Sequence, residues 1–392
     1  MKKFILSIGV VIICMGLLFT GCESTSLTGT GIQIPLVEMV QCELPENEAM
    51  TFAANLKVGW NLGNTLDNTV TVRNEVDAET AWGSPKITEE MILAVKKAGF
   101  NIIRIPITWH NHMDENYRIS DYWLTRVMEI VDYAYNNDMY VIINIHHDID
   151  KSYYYPTYET LENSLKFSGA VWTQLCEVFK DYDEHLIFEA INEPRLIGTD
   201  FEWWIDTNSD KGKEVIDCIM QTNQAFVDLV RASGGNNADR YLMVPGYCAS
   251  YKYSCDDLFN IPNDPVNHTM VSIHAYEPQG FALNDDANSK TFVINRSSRQ
   301  VDSIMDMIYE KYTSKGIPAI IGEFGARDKN NLESRITYAA YYVAVARARG
   351  ITCLWWDNNS VEGNGELFGL LDRNTLEWIY PDIVIAMVNN CE

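Results

Sequence analysis

From residue 51 onward the chain is divided by eight short apolar runs, each followed by a longer amphipathic stretch. The runs are Leu56–Gly63, Asn101–Thr108, Tyr140–His147, His185–Glu193, Tyr241–Tyr247, Met270–Tyr276, Pro318–Gly325 and Gly350–Asp357. Most are rich in Val, Ile and Leu, the pattern of parallel strands buried on both faces. Between them the spacing predicts helices over Tyr122–Asn137, Lys213–Ala232 and Arg335–Arg349, and another opening at Thr88. Strand then helix, eight times over, predicts an α/β chain folded as a single (β/α)8 barrel spanning 51–392. An open doubly wound sheet needs a glycine-rich phosphate turn after its first strand, which Gly59-Trp60-Asn61-Leu62-Gly63-Asn64 does not supply.

The N-terminus reads as an address. Met1-Lys2-Lys3 precedes an apolar run from Phe4 to Phe19 and then Thr20-Gly21-Cys22. A positive start, a short apolar stretch and small residues before a break form an export signal over 1–21. Two processing outcomes fit: plain secretion after Gly21, or lipidation of Cys22, because Leu18-Phe19-Thr20-Gly21-Cys22 resembles the bacterial lipoprotein site. Residues 22–50 then read as a tether. The expected location is extracytoplasmic, either free or held to a membrane only through the lipid. Seven further cysteines are scattered without a C-x-x-C pair, as buried small hydrophobes would be.

Charge narrows the partners. Against 30 Lys and Arg stand 54 Asp and Glu, a formal net charge of −24. Nucleic acid needs a basic footprint, so it is excluded, and acidic polysaccharides are disfavoured. A neutral partner fits, and the expected state is a monomer.

The chemistry collects where a barrel puts it, at the C-terminal strand ends. Six runs end in polar or aromatic residues: Arg104-Ile105-Pro106, His146-His147-Asp148, Asn192-Glu193-Pro194, His274-Ala275-Tyr276, Gly322-Glu323-Phe324-Gly325 and Trp355-Trp356-Asp357-Asn358. Glu193 and Glu323 dominate the set. Cleaving a glycosidic bond needs an acid for the departing oxygen and a carboxylate to meet the positive charge on the sugar carbon. Arg104, a cation inside an apolar strand, needs a buried carboxylate partner; Glu323 and Glu189 are the two candidates. A guanidinium and the Tyr276 hydroxyl beside Glu323 would keep it ionised, whereas Glu193 is expected with a raised pKa, as a general acid. His146 and His147 point to opposite faces unless the strand has already ended. Trp356 offers either a stacking face or barrel packing.

These motifs, with Gly59-Trp60-Asn61-Leu62-Gly63-Asn64-Thr65-Leu66-Asp67, resemble glycoside hydrolase family 5, and subfamily 4 in particular. The resemblance implies a (β/α)8 barrel and retaining endo-hydrolysis of β-glucans such as cellulose, mixed-linkage glucan or xyloglucan. It implies Glu193 as acid/base, Glu323 as nucleophile, and no cofactor or metal. Asn192 would hold a sugar 2-hydroxyl, Arg104 and Tyr276 would position Glu323, and His146, His274 and Trp356 would line the sugar site. It also implies a cis peptide bond at Trp356–Asp357. A metal-dependent barrel hydrolase and a glycan-binding lipoprotein are the rival classes. The first lacks a His-x-His pair at the first strand end, and the second would not need both glutamates.

Overall fold

The computed structural model describes residues 27–284 and 289–392. The predicted signal and Cys22 lie outside these residues. Eight parallel strands close into a barrel in chain order. They are β1 (Val58–Leu62), β2 (Ile102–Ile105), β3 (Tyr140–Asn144), β4 (Leu186–Glu189), β5 (Leu242–Ser250), β6 (Thr269–His274), β7 (Ala319–Phe324) and β8 (Ile351–Asp357). Closure is made by β1 against β8, with Gly59 opposite Leu354 and Asn61 opposite Trp356. Each of the eight expected runs overlaps a strand, although β5 runs on to Ser250 and β6 begins one residue earlier, at Thr269.

The helices follow the expected order. Asp121–Tyr135 begins at Ser120, whose hydroxyl accepts from the Trp123 amide, and Asp210–Ala232 begins at Ser209 in the same way. Such caps satisfy amides that the first helical turn leaves free. Leu332–Arg347 is buried nearly all round, because a C-terminal helix, Pro381–Val388, covers its outer side.

Alternate strand residues point into the barrel. At the N-terminal end these are apolar: Ile102, Ile142, Ile187, Met243, Met270, Ile320 and Leu354 pack as one cluster. The helix Glu48–Asn55 plugs this end, with Phe52 stacked on Tyr241 at 3.5 Å between ring centres. The inner position of β1 is Gly59, where a Cβ would stand 2.4 Å from Leu354 and 2.8 Å from the Ile102 carbonyl oxygen. No side chain fits there.

One expectation fails at the N-terminus. Residues 22–50 were expected to form a free tether, but from residue 27 the chain lies along the barrel. The Thr30 amide and hydroxyl donate to Asp382, and the Val37 amide donates to Asn390. Ile32, Ile34, Val37 and Met39 pack on the core beside them. The Ser/Thr/Gly-rich composition that suggested a linker concealed these apolar positions, spaced two or three residues apart as in an extended segment with one buried face. The seven described cysteines are free thiols, five of them buried.

Candidate active site

Two residues further along the strands, the inward positions change from apolar to polar. Arg104, Asn144, Glu189 and Ser272 take the places above Ile102, Ile142, Ile187 and Met270, and Asn61 stands above Gly59. The Arg104 guanidinium, fully buried, is the hub. Its Nε donates to Glu189 Oε2 at 2.7 Å, and its Nη1 donates to Glu323 Oε1 at 2.8 Å and to Asn61 Oδ1 at 3.0 Å. Its Nη2 donates to Asn192 Oδ1 at 2.7 Å. Both carboxylate partners expected for Arg104 are therefore engaged at once. Burial opposes its charge, but Glu189 and Glu323 outweigh burial and raise its pKa above the ordinary value.

The other side of Glu189 is closed by Ser272, which donates to Oε1 at 2.5 Å, and by Asn144, which donates to Oε2 at 2.9 Å. Every charged group of this layer has a partner, as burial demands.

Above the layer opens a cavity of about 830 Å3 lined by His146, His147, Asn192, Glu193, His274, Tyr276, Glu323 and Trp356. These are eight of the nine residues expected at the site; Arg104 lies beneath them. Tyr276 donates from its hydroxyl to Glu323 Oε2 at 2.9 Å, so both oxygens of that carboxylate carry a donor. Between the glutamates stands His274, whose Nδ1 is 2.8 Å from Glu193 Oε1 and 3.5 Å from Glu323 Oε2. One oxygen of each glutamate and a ring nitrogen of His274 all lie within 4.8 Å of one another.

The electrostatics correct one expectation. Glu193 was expected with a raised pKa. Burial does push it up, but the hydrogen bond and charge of His274, with Arg195 beside it, hold it below its ordinary value. His274 answers in the opposite direction: burial lowers it, while Glu323 and Glu193 raise it past its ordinary value. Both shifts favour the charged forms, an imidazolium facing a carboxylate. Burial, with the charges of His147 and Arg104, holds His146 well below its ordinary value, so it is neutral.

β3 ends at Asn144, two residues before His146. The strand has ended, and both histidines line the cavity with their rings edge to face at 4.4 Å. Trp356 lies nearly parallel to His146, 5.8 Å between centres, and is only 9% exposed. It is both wall and lining. Its indole fills the space over Gly63, where a Cβ would meet ring atoms at 2.8 and 2.9 Å. The cis bond expected at Trp356–Asp357 is not found. β8 keeps its ladder to β1 through Leu62 opposite Asp357, as a continuous trans strand does, and the cis bond among the described residues is Glu277–Pro278.

Sequence reasoning missed two groups. Asn61, Asn144 and Ser272 are polar residues within apolar runs at the inward parity, and that parity was the available signal. Arg195, directly after Asn192-Glu193-Pro194, touches Glu193 Oε2 at 3.2 Å. Trp82, Trp203 and Trp204, tryptophans that the sequence offers for a stacking cleft without placing them, reach the cavity from loops after β1 and β4.

A closed parallel barrel whose C-terminal mouth sets two glutamates about one hydrogen-bonding histidine defines the class of the barrel glycoside hydrolases. Comparison with known proteins places it within that class. The cellulase profile (glycosyl hydrolase family 5) matches residues 66–362. Endoglucanase A of Clostridium longisporum is 42% identical over 346 residues, which cover 87% of this chain and 65% of that protein. The chain thus spans about two thirds of that relative's length. Among solved structures, a family 5 lichenase from Caldicellulosiruptor sp. F32 is 52% identical with a TM-score of 0.89, covering 92% of this chain and all of the other. A broad-specificity endoglucanase of subfamily 4 from Ruminococcus champanellensis, solved with cellotriose, is 42% identical with a TM-score of 0.81, covering 88% and 100%. The chain belongs to glycosyl hydrolase family 5.

Proposed function

We propose that the protein is an endo-β-1,4-glucanase that cleaves β-glucans such as cellulose, mixed-linkage glucan or xyloglucan with retention of configuration. The observation that carries this reading is the placement of Glu193 and Glu323 oxygens within 4.8 Å, facing one cavity. Double displacement works across about 5–5.5 Å, whereas an inverting site leaves about 6.5–9.5 Å for water. The lichenase named above has also been solved, as a glutamate-to-glutamine variant, in complex with cellotetraose.

In this mechanism Glu323 attacks the anomeric carbon. Arg104 and Tyr276 hold its two oxygens, so the carboxylate is aimed before substrate arrives. Glu193 protonates the departing oxygen and then deprotonates the incoming water. Asn192 gives its Oδ1 to Arg104, which leaves its NH2 as donor to the 2-hydroxyl of the bound sugar. That bond strengthens as positive charge grows on the ring. His146, neutral and buried, and Trp356 form the wall of the sugar site. No step needs a metal or an organic cofactor.

The further reading is export of a monomer, either secreted or anchored through Cys22. No helix among the described residues is long and apolar enough to cross a membrane.

The test is a product assay on the four polymers cellulose, mixed-linkage glucan, xyloglucan and glucomannan. Proton NMR of the first product should show the β-anomer and internal cleavage. Glu323→Ala should lose turnover with its near-ultraviolet circular dichroism unchanged. Near-normal turnover in that variant, or an initial α-anomer, refutes the mechanism.

A further inference from the structure

Arg195 lies outside the barrel strands, is only 8% exposed and contacts three residues at once. Its Nη1 donates to Glu193 Oε2 and to the Glu193 carbonyl, both at 3.2 Å. Its Nε donates to Glu202 Oε1 at 3.3 Å. Its guanidinium carbon lies 4.4 Å from the ring centre of Trp203. Trp203 is 62% exposed and lines the same cavity as the two glutamates. The cation covers one indole face, so the opposite face is open to a ligand.

The loop carrying these residues is fixed from beneath. The Tyr247 hydroxyl accepts from the Leu196 amide at 3.0 Å and donates to the Phe201 carbonyl at 2.7 Å. The Cys248 amide donates to the Pro194 carbonyl at 3.0 Å, and the Ile205 amide donates to the Tyr253 hydroxyl at 2.8 Å. Trp203 is therefore an exposed aromatic on a held segment, which lowers the ordering cost of binding against it.

We propose that Arg195 is a positioning residue that links a sugar unit stacked on Trp203, on the leaving side of the scissile bond, to the orientation and protonation of Glu193. The proposal assumes the general-acid role given to Glu193 above. The leaving side is assigned because the Arg195 guanidinium, stacked on Trp203, also touches the Glu193 carboxyl that protonates the leaving oxygen. A pyranose C–H face on the open indole face sheds water from Trp203 and from the guanidinium behind it, which strengthens the Arg195–Glu193 contact. A chain long enough to reach Trp203 thus meets an acid already aimed.

Several other groups face Glu193 and enter its titration. His274 and Tyr276 stand at the end of β6, Glu323 on β7, His147 after β3, and Cys248 on β5. Arg195 and His274 place positive charge on opposite oxygens of the carboxylate.

The test compares cellohexaose, whose leaving group needs protonation, with 2,4-dinitrophenyl cellobioside, whose leaving group does not. Arg195→Ala should lose at least about tenfold more kcat/KM on cellohexaose than on the aryl glycoside. The alkaline limb of its cellohexaose profile should move up by about one pH unit, because a neighbouring cation is gone. Arg195→Lys should return the limb and only part of the rate. Trp203→Ala should raise KM for cellohexaose but not for the aryl glycoside, and its loss should not add to that of Arg195→Ala. Equal losses on both substrates, an unmoved limb, or additive losses overturn the proposal. If instead Glu193→Gln retains cellohexaose turnover, the general-acid assignment itself has failed.

Discussion

The Nδ1 atom of His274 lies 2.8 Å from Oε1 of Glu193, and the contact shifts the two groups in opposite directions. It also ties stability to pH in two directions. Glu193 lies below its ordinary value of 4.5, so its contribution is complete above about that pH and is lost as pH falls through its folded value. His274 lies above its ordinary value of 6.5, so its contribution is complete below that pH and is lost as pH rises through its folded value. The pair stabilises fully between pH 4.5 and 6.5. Thermal unfolding across pH 3.5–9 should show a maximum there, and His274→Asn should flatten it. A profile of unchanged shape in the variant would contradict the pairing.

Arg104 has no substitute. Arg104→Met leaves Glu189 and Glu323 buried with no cation between them, a loss of about 3–5 kcal/mol. Urea unfolding should show this as a lower midpoint with unaltered slope, and hydrolysis should fall by orders of magnitude because Glu323 loses its aim. A fully stable, active variant would show that the hub is dispensable.

Gly63 is a steric requirement at the site and has no chemical part in it. A Cβ there would stand 2.8 Å from the Trp356 ring and 2.9 Å from the Asp357 carbonyl oxygen, which is backbone and cannot swing away. Gly63→Ala should cost about 1–3 kcal/mol and raise KM by displacing Trp356. The second glycine-dependent contact, at Gly59, should affect stability alone, since it lies in the apolar layer. Kinetics and melting of the two alanine variants separate these effects.

Removing residues 1–46 tests the docked N-terminal segment. Its loss takes away the Thr30–Asp382 and Val37–Asn390 bonds and the cover over apolar side chains. A loss of about 2 kcal/mol, or about 3 °C in Tm at this size, is expected. A free tether would leave Tm unchanged.

How much could be read beforehand differed by element. The eight strands were legible because strands buried on both faces are nearly continuous in Val, Ile and Leu. Glu193 and Glu323 were legible because each ends such a run. The tether was misread because a segment with one buried face alternates, and four apolar residues among polar ones resemble a linker. The state of Glu193 was misread because it depends on His274, 81 residues away, and on Arg195, whose neighbour Pro194 gave no hint of the turn that brings the guanidinium back.

By itself the order of residues determined the barrel, its eight strands and which side chains stand at its C-terminal mouth, because periodicity and strand ends are local properties. Only the closed structure decided that Arg104 serves Glu189 and Glu323 together, that one histidine nitrogen stands between two carboxylates, and which way their pKa values move. Charge and solvation act through space, over distances set when β1 meets β8, and no stretch of chain carries that information alone.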